Sequence, residues 1–403
     1  MDEFFLSVKR GRSVPTGFFI DLPGPPPELA ALRERVRVRA RHLAALHLVP
    51  PIRSRRWSAA ADPDFGAHVF EQTGIPDGQS FDEATSALVS RPLPGGRHPG
   101  WDVWLLVPTS RHRHRICFRI NHALQDGVGA AHSAAALLAD DTASGPRPHV
   151  RERPTAAGAW KVCRDVHRAL RPGAGWTAWR APQAGITRWV YADVEEQQIQ
   201  AVARAWDGTV NDIFLSALTR ACALWHTAHA PGRAAPNLTA VMPMSVRPPG
   251  SESTAGNHIV LTCLSLPTSA TTPERCVAQV MRQTRAGRDG NHRDTVNLFY
   301  TKLPARWLAA LHLRMRTPLI ASHVNLLSPY RVFGAPVAAA SMFSDLAQNL
   351  GCYVSLTRIG GHARCAVVYD LALPGAAALP QLWLDALMEL ADAAAAGPPP
   401  SAG

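Results

Sequence analysis

A two-lobed α/β fold is what this sequence predicts, and three observations lead to it. The chain has 403 residues, 46% of them hydrophobic, enough for two cores of ordinary size. Strand-like and helix-like segments are interleaved in both halves. A stretch dense in Pro, Gly, Arg and Trp, running from Asp141 to Gly185 around one short helical segment, separates the halves. The predicted division is an N-terminal lobe over 1–145, a crossover over 146–185, a C-terminal lobe over 186–396 and a disordered tail over 397–403.

The elements follow from local pattern. Asp21 to Pro27 (DLPGPPP) is turn-rich, and Pro27 suits the first position of a helix reaching about His47, whose Leu and Val residues recur at three and four. Asp102 to Val107 and Arg115 to Asn121 are rich in β-branched, aromatic and apolar residues and are joined by a short polar stretch, so they read as a hairpin. After Gly127, the Ala-rich run Val128 to Asp140 predicts a helix whose small residues lie close against a sheet. In the second half, Thr187 to Ala192 reads as a strand and Thr209 to Thr227 as a long buried helix starting near Thr209 or Asn211. Further strands are expected at Asn237 to Met244, His258 to Leu266, Val337 to Ala340, Cys352 to Arg358 and Ala363 to Tyr369, with a closing helix from Leu379 to Ala395.

Composition narrows the function classes. Apolar runs end after about 5 to 8 residues, far short of the roughly 20 a spanning helix needs, and the start Met1-Asp2-Glu3 is acidic where a secretory signal is basic. A soluble, cytoplasmic protein is expected. Seven cysteines, widely spaced and without a CxxC, read as buried free thiols rather than a disulfide or zinc framework. The net charge of +11 is carried by arginine, since Lys9, Lys161 and Lys302 are the only lysines; the Ala/Arg/Pro excess fits a GC-rich coding sequence equally well as a positive field for phosphates of coenzyme A, an acidic carrier protein or an anionic membrane surface. The arginines are scattered rather than interleaved with aromatics, which argues against nucleic acid.

The sharpest chemical feature is Asn121-His122-Ala123-Leu124-Gln125-Asp126-Gly127, placed where a strand ends and a helix begins. There a histidine can present a ring nitrogen to a cleft, while Gly127 permits a backbone turn that a Cβ would strain. An isolated HxxxD is common by chance, and taken alone the structural reading of His122 is the stronger one. Other motifs have plainer explanations. Arg111-His112-Arg113-His114-Arg115 fits a hairpin turn better than a metal or phosphate site, and Gly127-Val128-Gly129 lacks the acidic partner of a dinucleotide fingerprint. The eleven tryptophans suit core positions.

The order of motifs makes His122 more specific. From Pro99-Gly100-Trp101 to NHALQDG the chain resembles the bacterial wax ester synthase/diacylglycerol acyltransferase family between its PLW-like and HHxxxDG motifs. Asp2-Glu3-Phe4-Phe5-Leu6 is similar to that family's opening, Thr209-Val210-Asn211-Asp212 to its TVND helix start, Pro243-Met244-Ser245-Val246-Arg247 to its PVSVR strand, and Gly256-Asn257 to its GN; a looser similarity covers Ser322 to Asp370. The resemblance implies two chloramphenicol-acetyltransferase-like lobes forming a pseudo-dimer, with a tunnel between them and the motif histidine at its centre. The wider superfamily includes plant BAHD acyltransferases and nonribosomal peptide condensation domains. Three departures mark this chain: the first histidine of HHxxxDG is Asn121, the chain is shorter than typical storage-lipid members of the family, and the SNVPGP-like segment reads Ser322-His323-Val324-Asn325-Leu326.

By resemblance, His122 is the general base of an acyl transfer from a thioester, acyl-CoA in the first place, to a hydroxyl or amine, with no cofactor beyond that co-substrate. Neutral imidazole, with a reference pKa of about 6.5, suits such a role. There is no GxSxG elbow or catalytic-cysteine context to suggest an acyl-enzyme. His122 and Asp126 are the candidate catalytic pair, with Asp126 expected to pair with Arg247; Gly127 and Arg247 give structural support; Asn121, Trp101, Asn211 and Asn257 are candidate substrate-binding residues, and no metal ligands are expected. The acceptor would be a small molecule or a lipid alcohol or amine, with peripheral membrane contact one way to reach it. The alternatives are condensation-domain-like bond formation with a carrier-bound donor, and a non-catalytic scaffold of the same fold.

Overall fold

Two β-sheets organise the chain in the computed structural model. It describes residues 13–49, 57–60, 63–141, 146–147, 149–170, 184–304, 307–308, 319–326, 328–346 and 350–396. The family-like opening at Asp2–Leu6, residues 171–183 of the expected crossover and the tail at 397–403 lie outside these.

The first lobe contains β1 (Pro15–Pro23), α1 (Leu29–Ala40), β2 (Val69–Ile75), α2 (Gln79–Ser90), β3 (Trp101–Pro108), β4 (Arg113–Asn121) and α3 (Gly127–Leu138). Helix α4 (Ala156–Leu170) follows, and then the second lobe: β5 (Thr187–Glu195), α5 (Glu196–Ala205), α6 (Val210–His229), β6 (Leu238–Ser245), β7 (Ile259–Leu266), α7 (Pro273–Asp289), α8 (His292–Lys302), β8 (Leu319–Asn325), β9 (Ala339–Ser344), β10 (Cys352–Ile359), β11 (His362–Asp370) and α9 (Leu379–Ala396). The first sheet has the order β9-β1-β4-β3-β2 and the second β5-β11-β10-β8-β6-β7. β9 thus lies late in the chain but pairs antiparallel with β1, Thr16 opposite Ser344.

The predicted hairpin is present, Trp101 opposite Ile120 through Leu106 opposite Arg115. Both strands are buried almost throughout, as apolar runs bounded by a turn predict. The turn between them is held by Asp77, whose carboxylate accepts from Ser110 Oγ at 2.7 Å, and Arg111 takes a left-handed φ of 54°. The expected helix from Pro27 to His47 is shorter: it stops at Ala40, and Ala44–His47 forms one 3-10 turn that buries Ala45 and Leu46. The Ala-rich helix is α3, whose alanines at 130, 131 and 134 are buried and pack it against β1. Thr209 caps α6 with a reciprocal capping box to Asp212, the pair of bonds that satisfies two otherwise orphaned N–H groups.

Each lobe has its own apolar core, one around Phe19, Phe118, Trp101 and Phe343, the other around Phe214, Trp225, Leu356 and Trp383. All seven cysteines are free; six are buried and Cys163 is exposed. Among the described residues, no helix is long and apolar enough to cross a membrane.

Candidate active site

His122 follows the last residue of β4, and the five residues 122–126 link that strand to α3. The loop is fixed at its base by main-chain bonds: His122 N donates to Val14 O at 2.8 Å and Asn121 N to Gly100 O at 2.8 Å. Asn121 bends the chain locally, its side-chain oxygen accepting from Ala123 N at 3.0 Å. That bond occupies its amide oxygen with the loop itself, a role that leads away from the expected substrate contact.

A loop of the second lobe, residues 251–258, lies along this one. Gly256 N donates to Leu124 O at 2.6 Å, and Gln125 forms an isolated parallel bridge with Gly256. The Gln125 amide donates to Ser253 O at 2.9 Å and to Thr254 O at 3.3 Å, while its oxygen accepts from Ser133 Oγ of α3. Asn257, at the end of this loop, meets His122 twice. Its Oδ1 is 2.9 Å from the ring Nδ1, and its Nδ2 donates to the His122 carbonyl at 2.6 Å. His122 is 7% exposed, so the ring is held by the second lobe yet not wholly sealed.

Asp126 is fully buried and occupied on both oxygens. Oδ1 caps α3 by accepting from Gly129 N at 2.9 Å; Oδ2 accepts from Arg247 Nη2 at 2.8 Å and from His258 N at 2.7 Å. The expected Asp126–Arg247 pair is therefore formed. Arg247 is itself completely enclosed, and its guanidinium also donates to Ser251 O, Thr254 O and Gly256 O, drawing the 251–258 loop around one charge. Such a buried pair tolerates desolvation only because nearly every lone pair and proton finds a partner.

The small residues after Asp126 make this packing possible. A Cβ on Gly129 would stand 2.8 Å from Arg247 Nη2, and one on Gly127 would overlap the Met342 methyl. Gly127 has no positive φ, so the turn expected of it is not what requires glycine; the approach of Met342 from β9 is. β9 is in turn gripped from the second sheet, with Thr357 Oγ1 accepting from Met342 N at 2.8 Å and Ser355 Oγ donating to Met342 O at 2.7 Å.

Two expected residues have other surroundings. Trp101 is fully enclosed in the first core, stacked on His68 with ring centroids 4.5 Å apart, and its indole N–H donates to Leu46 O at 2.8 Å. Asn211, the second residue of α6, has its Nδ2 3.7 Å from Met242 Sδ. Gln125, Ser133, Met342 and the main chain of His258 went unnoticed in the sequence. Gln125 sits inside the motif but at one of its unspecified x positions, and the others become neighbours only through long-range folding. Behind Arg247, His149 N donates to the Arg247 carbonyl at 2.8 Å, and the His149 ring meets both oxygens of Asp294 at 3.0 Å. This joins the chain entering α4 to α8 and to the Arg247 loop. Among the described residues, no group of three or more His, Cys, Asp or Glu is arranged to hold a metal ion.

Comparison with known proteins bears on the fold and the class of reaction. The family described as wax ester synthase/diacylglycerol acyltransferase catalytic domain matches residues 23–171. A probable diacylglycerol O-acyltransferase of Mycobacterium tuberculosis is 25% identical over 400 residues, covering 87% of this chain and 85% of its own length. Among solved structures, the wax ester synthase/diacylglycerol acyltransferase of Marinobacter aquaeolei superposes with a TM-score of 0.69 at 18% identity, covering 98% of each chain. The first condensation domain of the CDA synthetase gives 0.63 at 15% identity, covering 98% of this chain and 94% of that one. The match over residues 23–171 and the relatives named as diacylglycerol O-acyltransferases indicate an acyltransferase, and the fold is the one seen in the solved wax ester synthase and condensation domain.

Proposed function

We propose that the chain moves an acyl group from acyl-CoA to the hydroxyl or amine of a small-molecule or lipid acceptor in the cytoplasm, with His122 as general base. The observation that carries this reading is the position of His122, presented by a strand end of one lobe and gripped by Asn257 of the other. A site assembled at the junction of two lobes suits two substrates that must meet without sharing an entrance, and a tunnel there is part of the proposal. The imidazole accepts the proton of the acceptor O–H or N–H as that atom bonds to the thioester carbonyl carbon. The tetrahedral intermediate then expels the thiolate as the C–S bond breaks, and the imidazolium returns its proton to the sulfur. No acyl-enzyme forms, and coenzyme A leaves as the free thiol. Asp126 contributes by holding Arg247 and the second-lobe loop in place. Asn211 stands as candidate donor to the oxyanion on the strength of the resemblance alone.

The condensation-domain likeness supports a second donor, an acyl group on an acidic carrier protein drawn by the net charge of +11. Incubation with acyl-CoA and with acyl-carrier thioesters, following acceptor-dependent thiol release, separates the two. We expect His122→Ala to fold normally and to lose turnover by about 10² to 10⁴-fold, the usual contribution of a positioned general base. Near-native turnover of that variant with the true substrates would remove the assignment.

A further inference from the structure

We infer that Asn257 is a positioning residue that fixes the ring tautomer of His122, holding the proton on Nδ1 and the lone pair on Nε2. The inference deepens the reading of His122 as base and rests on it for its catalytic meaning, but the geometry that carries it stands separately. An Asn amide can be built in two orientations, and a neutral imidazole has two tautomers, so a single contact between them decides neither. Here a third group decides both. The His122 main-chain carbonyl can only accept a hydrogen bond, and it lies 2.6 Å from the Asn257 amide, so the atom facing it is Nδ2. Oδ1 must then be the atom facing the ring at 2.9 Å, and an amide oxygen can only accept. Nδ1 is therefore the donor. In the neutral ring the lone pair is left on Nε2, the nitrogen farther from the main chain and the one able to take a proton from an acceptor.

The clamp also links this tautomer to the docking of the lobes. Asn257 reaches His122 because its loop is bound to residues 124–126 by Gly256 N, by the Gln125 amide and by Arg247 through Asp126. The base is thus supplied by the first lobe, and its protonation pattern is written by the second. Asn257 was expected from resemblance to bind substrate; with both polar atoms of its amide engaged by His122, orientation of the base is the role its geometry supports.

Ring-labelled histidine in the full-length protein gives a direct reading, because ¹⁵N and ¹³C shifts distinguish a protonated from an unprotonated ring nitrogen. The His122 signals are assigned by their loss in His122→Gln. We expect Nδ1 protonated and Nε2 unprotonated in the neutral wild-type ring, and a mixture of tautomers in Asn257→Leu. Turnover of Asn257→Leu should fall about 10²-fold with KM nearly unchanged, the scale of a catalytic group left misoriented. Asn257→Asp places a carboxylate against Nδ1, which favours the imidazolium, so the acid limb of kcat/KM should move to higher pH. An asparagine whose amide did not face the ring would not move that limb. Protonated Nε2 in the wild-type ring, an unchanged tautomer in Asn257→Leu, or an unmoved acid limb in Asn257→Asp overturns the inference even where His122→Ala is inactive. If instead His122→Ala retains turnover while the tautomer is as expected, the base assignment fails and the clamp stands.

Discussion

Gly127 shows how a residue can be placed correctly in a motif for the wrong reason, and Gly129, just beyond the motif, is small for the same true reason. Glycine after Asp126 was expected to serve a strained turn, yet neither position has a positive φ, and each is small because a distant side chain comes close. For Gly129 the neighbour is the Arg247 guanidinium, fixed by donations to four residues, and it has no room to retreat. For Gly127 it is the free end of Met342, a flexible side chain. We therefore expect Gly129→Ala to cost about 1–3 kcal/mol, in the range of overpacked cores, and Gly127→Ala distinctly less. Denaturant unfolding measures both, and Met342→Ala should relieve Gly127→Ala but not Gly129→Ala. Equal losses at the two glycines would show that neighbour mobility is not what separates them. Neither contact was legible in the sequence, because Met342 arrives with a strand added late in the chain to the first sheet and Arg247 comes from the other lobe. His122, Asp126 and Arg247 were legible because motif order marks them.

At the scale of elements, local pattern located the hairpin β3–β4, the small-residue helix α3 and the capped helix α6, all of which carry strong periodic or capping signals. It missed β2, whose middle residues are exposed and polar, and it gave no means of assigning β9 to the first sheet. A buried strand reads alike whichever sheet receives it. Asp126 belongs to this scale because it starts α3 and anchors the loop opposite. Asp126→Asn keeps a cap but leaves Arg247 enclosed without its countercharge, so we expect a stability loss of about 3–5 kcal/mol together with reduced activity. Unchanged thermal unfolding would refute that. Strand β8 supports a different test. His323, in the segment likened to SNVPGP, accepts from Arg358 Nε at 3.1 Å. Burial, aided by the Arg358 charge, pushes its pKa down to about 3. The unfolded chain then binds a proton that the folded one refuses, so stability is full above the unfolded value of about 6.5 and is lost as pH falls from there towards the folded one. Tm followed over this range should drop less steeply in His323→Asn than in the parent protein.

For the whole molecule, the scattered arginines turn out to be partly internal. Arg115, Arg119 and Arg247 are each fully buried against a carboxylate, and only the fold reveals which charges are solvated and which are structural. The lobes meet through α2 packed on β5, where Trp189 N donates to Ser86 Oγ at 2.7 Å, and through one carboxylate shared between them. Asp21 of β1 is paired with Arg115 of the same sheet and accepts from Arg364 Nη1 of β11 at 2.7 Å. Burial alone would raise its pKa, but the Arg115 and Arg364 guanidiniums outweigh that and hold it below the ordinary carboxylate range. Its contribution is therefore present above the unfolded value of about 3.9 and is lost as pH falls through the lower folded one. Removing the charge with Asp21→Asn leaves Arg115 beside Asp82 and Arg364 beside Asp193, so neither guanidinium is stranded. We expect a loss near the lower end for a broken buried pair, about 3 kcal/mol near neutral pH. Measured by denaturant unfolding from about pH 5 towards about pH 2, the gap between parent and variant should narrow as Asp21 of the unfolded parent chain takes up a proton. A gap that stays constant would mean that Asp21 joins the lobes by packing and hydrogen-bond geometry rather than by its charge.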